Sequence, residues 1–197
     1  MINNKGMLIV ISGPSGVGKG TICNEIIKRL NNIELSISAT TRKPRNGEIE
    51  GINYYFKNLL QFKKMIERKE FIEYAKVYDN YYGTPKEHVI NRLEKGFSVI
   101  LEIDTNGAKQ VKSNFKEAIF IFIMPPSFAE LKKRLINRAT ESQKDIKKRM
   151  GSVFEEIQEI KNYDYIIIND DINKAAEEII CILNAEMHRT KRYNLDF

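Results

Sequence analysis

The sequence has no tryptophan, only two histidines and only two cysteines among its 197 residues. Cys23 and Cys181 have no paired neighbour of the kind found in metal or redox motifs, which indicates reduced thiols rather than a disulfide. His88 and His188 lie far apart in the chain and form no cluster. These absences argue against a disulfide-built scaffold and against a histidine–cysteine metal centre.

Long apolar runs are also missing, and none approaches the roughly 20 residues that a transmembrane helix needs. The polar residues 1–5 lead directly into an apolar segment that is too short for a signal peptide and has no cleavage-type sequence after it. We therefore expect a cytoplasmic protein without a membrane partner. Apolar residues make up 42% of the chain and charged residues 29%, which is typical of one soluble domain with a sizeable core.

The net charge of +6 permits an anionic partner but does not choose among nucleic acid, phospholipid and nucleotides. The sequence carries no recognised nucleic-acid-binding motif, so we expect no nucleic-acid partner. Composition leaves the oligomeric state open, and a homo-oligomer is compatible with it.

Short apolar segments rich in isoleucine and valine indicate buried strands of a parallel sheet, because they do not alternate with polar residues. They are Met7–Ser12, Ser98–Ile103, Ile119–Met124 and Tyr165–Ile168, with Leu35–Ala39 as a fifth candidate. Helical patterns separate them at Thr21–Leu30, from Ser127 to about Ala139, at Lys144–Lys161 and at Ile172–Arg192. This alternation predicts an α/β fold with a doubly wound parallel sheet and right-handed crossovers.

The interval Thr40–Tyr82 breaks the alternation, and we interpret it as an inserted substrate lobe. Directly after it, Thr84-Pro85-Lys86-Glu87 has the form of a capping box with proline at the first helical position. Thr84 is thus a candidate N-cap of the next helix, with a binding role as the alternative.

A glycine-rich motif follows the first predicted strand and opens the first helix. It consists of Gly13, Pro14, Ser15, Gly16, Val17, Gly18, Lys19, Gly20 and Thr21. In such a P-loop, backbone N–H groups and the helix N-terminus surround phosphate, and the lysine reaches the β- and γ-phosphates. The usual hydroxyl directly after the lysine is replaced by Gly20 and comes one residue later, so we assign no protein ligand of Mg²⁺.

Further motifs indicate a second, acceptor site. Two arginines three residues apart around a proline make a rigid fork for an anion, because arginine binds phosphate bidentately. The segments are Ser38-Ala-Thr-Thr-Arg42-Lys-Pro-Arg45-Asn-Gly-Glu48, Gly51-Ile-Asn-Tyr54, Glu70-Phe-Ile-Glu73, Asn80-Tyr-Tyr82-Gly-Thr84 and Leu101-Glu102-Ile-Asp104.

In this order and at these spacings, the motifs resemble the guanylate kinase family across nearly the whole chain. The resemblance implies transfer of the γ-phosphoryl group of ATP to GMP and dGMP, with Mg²⁺ held mainly by phosphates and water. It implies a single domain, in which a P-loop kinase core carries an inserted GMP-binding lobe and a mobile arginine lid. The implied limits are about 1–39, 85–138 and 150–197 for the core, 40–84 for the lobe and 139–149 for the lid.

The resemblance also implies roles for individual residues. The GMP phosphate would be held by Arg42, Arg45, Tyr54 and Tyr82, with Glu48 supporting the arginines, and guanine would be read by Ser38, Glu73, Thr84 and Asp104. The chemistry agrees, because ionised carboxylates only accept hydrogen bonds and suit the N1–H and N2–H donors of guanine. Glu102, on the same side of the strand as Asp104, is the alternative acid; Asp104 is preferred at the ligand-binding end of the strand.

Arg134 and Arg138 are four residues apart and share one helix face, and Arg149 follows a polar break. By resemblance to nucleoside monophosphate kinases, these three would act with Lys19 and Arg42 as the catalytic cations. A solvated basic helix face is the alternative for the three arginines. Asn169, after the last strand, would border the adenine of ATP or lie in a turn that caps the next helix.

Two other functions compete with this interpretation. One is a kinase for another nucleoside monophosphate. The two acids expected to bind the base, Glu73 and Asp104, argue against AMP as the acceptor. A non-catalytic interaction module is disfavoured because the P-loop retains Lys19.

Overall fold

The computed structural model describes residues 5–77, 79–137, 151 and 153–193. Its strands are β1 (Leu8–Ser12), β2 (Ile33–Leu35), β3 (Ala39–Thr40), β4 (Tyr55–Phe56), β5 (Phe71–Val77), β6 (Asn80–Pro85), β7 (Ser98–Glu102), β8 (Ile119–Met124) and β9 (Tyr165–Ile168). The helices are α1 (Lys19–Arg29), α2 (Leu59–Glu67), α3 (Lys86–Glu94), α4 (Thr105–Asn114), α5 (Phe128–Asn137) and α6 (Ile172–Met187). Residues 153–158 are helical as well, and 3₁₀ turns follow at Glu159–Asn162 and Thr190–Arg192.

The larger sheet has the order β2-β7-β1-β8-β9, and its strands are parallel. One face of it packs against α1, α5 and α6, and the other packs against α3 and α4. Ile9 and Ile11 point to the first face, whereas Leu8 and Val10 point to the second. Because both faces are covered, the strands are apolar throughout, and the predicted doubly wound α/β fold is confirmed.

The predicted strand Leu35–Ala39 is wrong, because the chain changes sheets within it. Ile33–Leu35 forms edge strand β2 of the larger sheet, and Ala39–Thr40 forms β3 of a second sheet. Residues 36–38 between them belong to neither strand. A short apolar stretch alone does not reveal this change of partner.

The second sheet has the order β4-β3-β6-β5 and extends from Ala39 to Pro85, slightly beyond the interval that interrupts the βα alternation. Its β5–β6 pair is an antiparallel hairpin. Phe62 of α2 is fully buried and stacks on Phe71 at 4.6 Å between ring centroids. The interval therefore has apolar packing of its own, and its limits as a lobe remain a prediction.

The carboxyl ends of the parallel strands carry most of the polar motifs. The P-loop follows β1, Glu102 and Asp104 lie at the end of β7, and Asn169 follows β9. Strand β5, which carries Glu73, packs against α4 directly after β7. The predicted phosphate site and the predicted base site therefore lie at the same end of the sheet, where open α/β folds bind ligands.

Candidate active site

The P-loop turn at residues 13–18 depends on glycine at three places. Gly13, Gly16 and Gly18 have φ values of 141°, 88° and 97°, which residues with a side chain rarely adopt. A Cβ on Gly13 would also lie 2.3 Å from the Ile123 carbonyl oxygen. The turn therefore brings backbone N–H groups towards the N-terminus of α1, which begins at Lys19.

Lys19 bends back over the loop. Its ammonium group donates hydrogen bonds to the carbonyl oxygens of Gly13 at 2.6 Å and Pro14 at 3.2 Å. Burial lowers the pKa of Lys19, while the carboxylates of Glu102, Glu156 and Asp104 oppose that shift. The positive charge of the loop is thus placed beside several acids at the end of the sheet.

Gly20 lies directly beneath a carboxylate. A Cβ at this position would be 3.2 Å from an Oε atom of Glu102, so the carboxylate would have to shift by a few tenths of an ångström to accept it. Glycine at this position leaves the Glu102 carboxylate where it is. Thr21, the next residue, is exposed in the first turn of α1, and Glu102 supplies the polar group that faces Gly20.

Asn169 holds the P-loop from the opposite side. Its side chain is buried, and its Nδ2 donates to the carbonyl oxygen of Val17 at 2.7 Å, whereas its Oδ1 has no partner within the described residues. The following helix is capped by Asp171 instead. The turn after β9 thus does cap the next helix, through Asp171, while Asn169 within it braces the phosphate loop; its place beside the adenine of ATP stays a prediction.

Arg134 is half-buried on α5 and is bound on both sides. Its guanidinium donates to Glu130 at 3.1 Å and to the backbone oxygen of Asn169 at 3.1 Å. The side chain therefore reaches the P-loop brace and does not lie on a freely solvated face. Arg138 and Arg149 lie outside the described residues.

The predicted anion fork is held by Glu48. Arg42 donates to one oxygen of this carboxylate at 2.8 Å, and the backbone N–H of Arg45 donates to the other at 2.7 Å. These hydrogen bonds lower the pKa of Glu48, with Arg42 as the main cause. Glu48 therefore orients the fork, and the Arg45 side chain remains exposed.

Two tyrosines stand beside this fork. The rings of Tyr54 and Tyr82 meet edge to face at 6.1 Å between centroids, and the Arg42 guanidinium lies 5.3 Å from the centroid of Tyr54. Burial raises the pKa of Tyr54, so its hydroxyl stays a donor at neutral pH. The structure thus brings three of the four predicted phosphate-binding residues together, namely Arg42, Tyr54 and Tyr82.

The predicted base site centres on Glu73, whose side chain is 4% exposed. Its Oε1 accepts a hydrogen bond of 2.7 Å from the hydroxyl of Thr84, which is also buried. Burial raises the pKa of Glu73 to about 7, and nearby Asp104 adds to the rise while Thr84 opposes it. The raised pKa favours the protonated form of this carboxyl group, although the sequence suggested a fully ionised acid.

The partner of Thr84 corrects the predicted capping box. The N-cap of α3 is Pro85, and no side chain caps this helix. The hydroxyl of Thr84 is directed across the β5–β6 hairpin to Glu73 instead. A β-bulge between Phe71 and Tyr74 shifts the register beside Glu73, as bulges do where a side chain is directed into a site.

Asp104 and Ser38 complete the predicted set of base readers. Asp104 is the N-cap of α4 and accepts a hydrogen bond of 2.8 Å from the N–H of Gly107. Ser38 is half-buried immediately before β3, and its carbonyl accepts from Tyr55. Asp104 and Glu73 interact electrostatically, so two acids converge near the end of β7.

Comparison with known proteins identifies the family to which the chain is similar. The guanylate kinase family model matches residues 5–186. A guanylate kinase of Clostridioides difficile is 52% identical over 98% of this chain and 94% of its own, and one of Caldanaerobacter subterraneus is 54% identical over 97% and 93%.

The chain belongs to the guanylate kinase family. The solved structure of guanylate kinase from Anaplasma phagocytophilum is similar to it with a TM-score of 0.83 and 36% identity, covering 98% of this chain and 93% of that one. The predicted family and the P-loop kinase fold are thereby confirmed.

Two further acids near the P-loop were not assigned from the sequence. Glu102 was placed second to Asp104, yet it faces Gly20. Glu156, from the helical residues 153–158, interacts electrostatically with Lys19 and Asp104, and burial raises its pKa to about 6. A sequence signal existed only for Glu102, which ends a strand beside β1.

The structure also bears on the expected absence of a membrane span. Among the residues described, no helix combines the length and the apolar character needed to cross a bilayer.

Proposed function

We propose that the chain carries out the reaction of its family, the transfer of the γ-phosphoryl group of ATP to GMP, with its own residues in the following roles. The observation that supports this most is the buried Glu73–Thr84 pair beside Asp104. Guanine offers N1–H and N2–H donors to such acids, whereas adenine has an acceptor at N1 and no amino group at C2. AMP would leave a buried carboxylate unpaired, at a cost of about 1–3 kcal/mol.

The GMP phosphate would bind the fork beside the base site. Arg42 and Arg45 supply bidentate donors, and Tyr54 and Tyr82 supply hydroxyl groups. Glu48 keeps the Arg42 guanidinium oriented before the ligand arrives, so less ordering is needed on binding. Ser38 would donate a hydrogen bond to O6 of guanine, while Thr84, whose single hydroxyl proton goes to Glu73, would hold that carboxylate in place.

ATP would bind with its phosphates in the P-loop, where residues 13–21 contribute backbone donors and Asn169 braces the turn. Lys19 would exchange its two carbonyl partners for phosphate oxygens. Arg134 lies next to the loop, and Arg138, just before the predicted lid, and Arg149, within it, would join it. These cations would neutralise the charge of the transferred group.

The site fits a Mg²⁺ ion that arrives with ATP. Within the described residues, no group of three or more His, Cys, Asp or Glu could hold a metal ion by itself. Mg²⁺ usually keeps several waters and binds one or two carboxylates together with substrate phosphates. Glu102, which lies beside Gly20, would accept a hydrogen bond from such a water, and the ion would offset phosphate charge.

No general base is needed in this mechanism, because the GMP phosphate is itself anionic near neutral pH, with a second pKa of about 6. The protein instead aligns the attacking oxygen with the γ-phosphorus, through Arg42 on the acceptor side and Lys19 on the donor side. Closing arginines would exclude water and limit ATP hydrolysis. We place the reaction in the cytoplasm, with ATP and GMP as substrates.

A coupled assay of ADP release with ATP and Mg²⁺ tests this proposal, with GMP and AMP compared in parallel. Turnover with GMP and not with AMP is expected. Equal turnover with AMP would contradict the roles of Glu73 and Asp104, while leaving phosphoryl transfer intact. Protein that binds GMP without releasing ADP would contradict the catalytic proposal and favour a binding module.

A further inference from the structure

Gly107 is buried as the third residue of α4, and its place in the helix does not explain why it is glycine. Its backbone is helical, and glycine in a helix is less favourable than alanine. Its N–H donates to Asp104 at 2.8 Å, but any residue other than proline supplies this donor. The reason for a glycine therefore has to come from what surrounds its α-carbon.

The surroundings are the two acids of the base site. A Cβ at position 107 would lie 2.5 Å from Oε2 of Glu73, 3.2 Å from the carboxyl carbon of Glu73 and 3.5 Å from Oδ1 of Asp104. Non-bonded heavy atoms are comfortable at about 3.5–4.0 Å. A methyl group here would therefore force the Glu73 carboxylate to move by about 1 Å.

Glu73 has little freedom to absorb that movement in place. Its side chain is buried, its Oε1 is bound to Thr84, and its strand packs against α4. Moving Oε2 away from α4 would strain the bond to Thr84 or rotate the carboxylate away from Asp104. The glycine is thus what lets one acid from β5 and one acid from the end of β7 stand side by side.

We propose that Gly107 is a positioning residue for guanine recognition. Its N–H fixes Asp104, and its lack of a side chain admits Glu73 to the same site. This inference rests on the proposed function, in which these two acids read the base. It extends that function to a residue that would not itself touch the substrate.

Gly107→Ala tests the idea, because a helical glycine without any steric role predicts an equal or higher melting temperature and unchanged kinetics. We expect kcat/KM for GMP to fall about 10- to 100-fold, since a displacement of about 1 Å in a site costs up to about 100-fold. The KM for ATP should change less than about twofold. Ser113→Ala, an exposed change on the same helix, is the matched control and should leave both constants unchanged.

A double-mutant cycle with Glu73→Asp shows whether the loss acts through this carboxylate. The shorter side chain withdraws from position 107, so adding Gly107→Ala to Glu73→Asp should cause little further loss. This double variant also relieves the clash if Gly107→Ala alone folds poorly. Losses that multiply in the double variant would overturn the proposal, as would unchanged GMP kinetics in Gly107→Ala.

Glu73→Gln separates failure of this inference from failure of the proposed function. If Glu73→Gln and Gly107→Ala both leave GMP kinetics unchanged, the base site itself is wrong. If Glu73→Gln loses GMP selection and Gly107→Ala does not, only the positioning role of Gly107 is wrong.

Discussion

Glu73→Gln should make the protein more stable at alkaline pH and a poorer GMP kinase. The substitution keeps the shape of the side chain and an Oε1 that accepts from Thr84. It removes a carboxylate whose ionisation is opposed by burial. A residue whose buried charge is needed for function but destabilises the fold is expected to show such a trade-off between stability and activity.

The size of the stability effect follows from the pKa of Glu73, which burial raises from 4.5 to about 7. Each tenfold change in an ionisation constant is 1.36 kcal/mol, so the native state loses about 3 kcal/mol when this buried group ionises. A raised carboxyl pKa contributes stability that is present below the pKa of the unfolded chain and is lost as the pH rises through the folded value. The loss falls mostly between pH 5 and pH 7.

Urea unfolding of both proteins at pH 5 and pH 8 measures this effect. The free energy of unfolding of Glu73→Gln should exceed that of the parent protein by about 2–3 kcal/mol more at pH 8 than at pH 5. Glu156, whose pKa is also raised, contributes equally to both proteins and cancels. A difference that does not depend on pH would refute the burial of an ionisable Glu73, and unchanged GMP kinetics would remove it from the base site.

Lys19→Met should lower kcat about 100-fold or more, while GMP affinity measured by calorimetry changes little; a large loss of GMP affinity would contradict a role on the donor side. Arg42→Lys should raise the KM for GMP about tenfold, because lysine cannot bind phosphate bidentately; an unchanged KM would remove Arg42 from the fork. The kcat/KM for GMP should rise from pH 6 to pH 8 with an apparent pKa of about 7, because burial raises the pKa of Glu73 to that value and guanine needs the ionised acid. In Glu73→Gln this rise should disappear, leaving ionisation of the substrate phosphate near pH 6; persistence of the rise would assign it to another group.

The parts of the fold that could be predicted depend on local patterns. The run Leu8–Ser12 followed by the glycines of the P-loop specifies a buried strand, a tight turn and a helix within one short segment. The segment Ser127-Phe-Ala-Glu130 has the pattern of a capping box, and the Ser127 hydroxyl accepts from the N–H of Glu130 at 3.1 Å. In both cases the interacting residues are close in sequence, so spacing alone carries the information.

The predictions that failed involve partners that are distant in the chain. Thr84 looks like a helix cap, but a carboxylate 11 residues away on the neighbouring strand binds its hydroxyl. Glu102 faces Gly20 because β7 is adjacent to β1 in the sheet, an order that the sequence does not specify. The raised pKa of Glu73 likewise depends on burial between β5 and α4, which only the assembled fold reveals.

The most direct test of guanine recognition by Glu73 and Asp104 is the ratio of kcat/KM for GMP to that for IMP. IMP keeps N1–H and O6 but lacks the amino group at C2, so one acid would lose its partner. We expect GMP to be favoured about 10- to 100-fold, because an unpaired buried acceptor costs about 1–3 kcal/mol. Equal use of GMP and IMP would show that the two buried acids do not read the amino group, and would contradict the proposed base site.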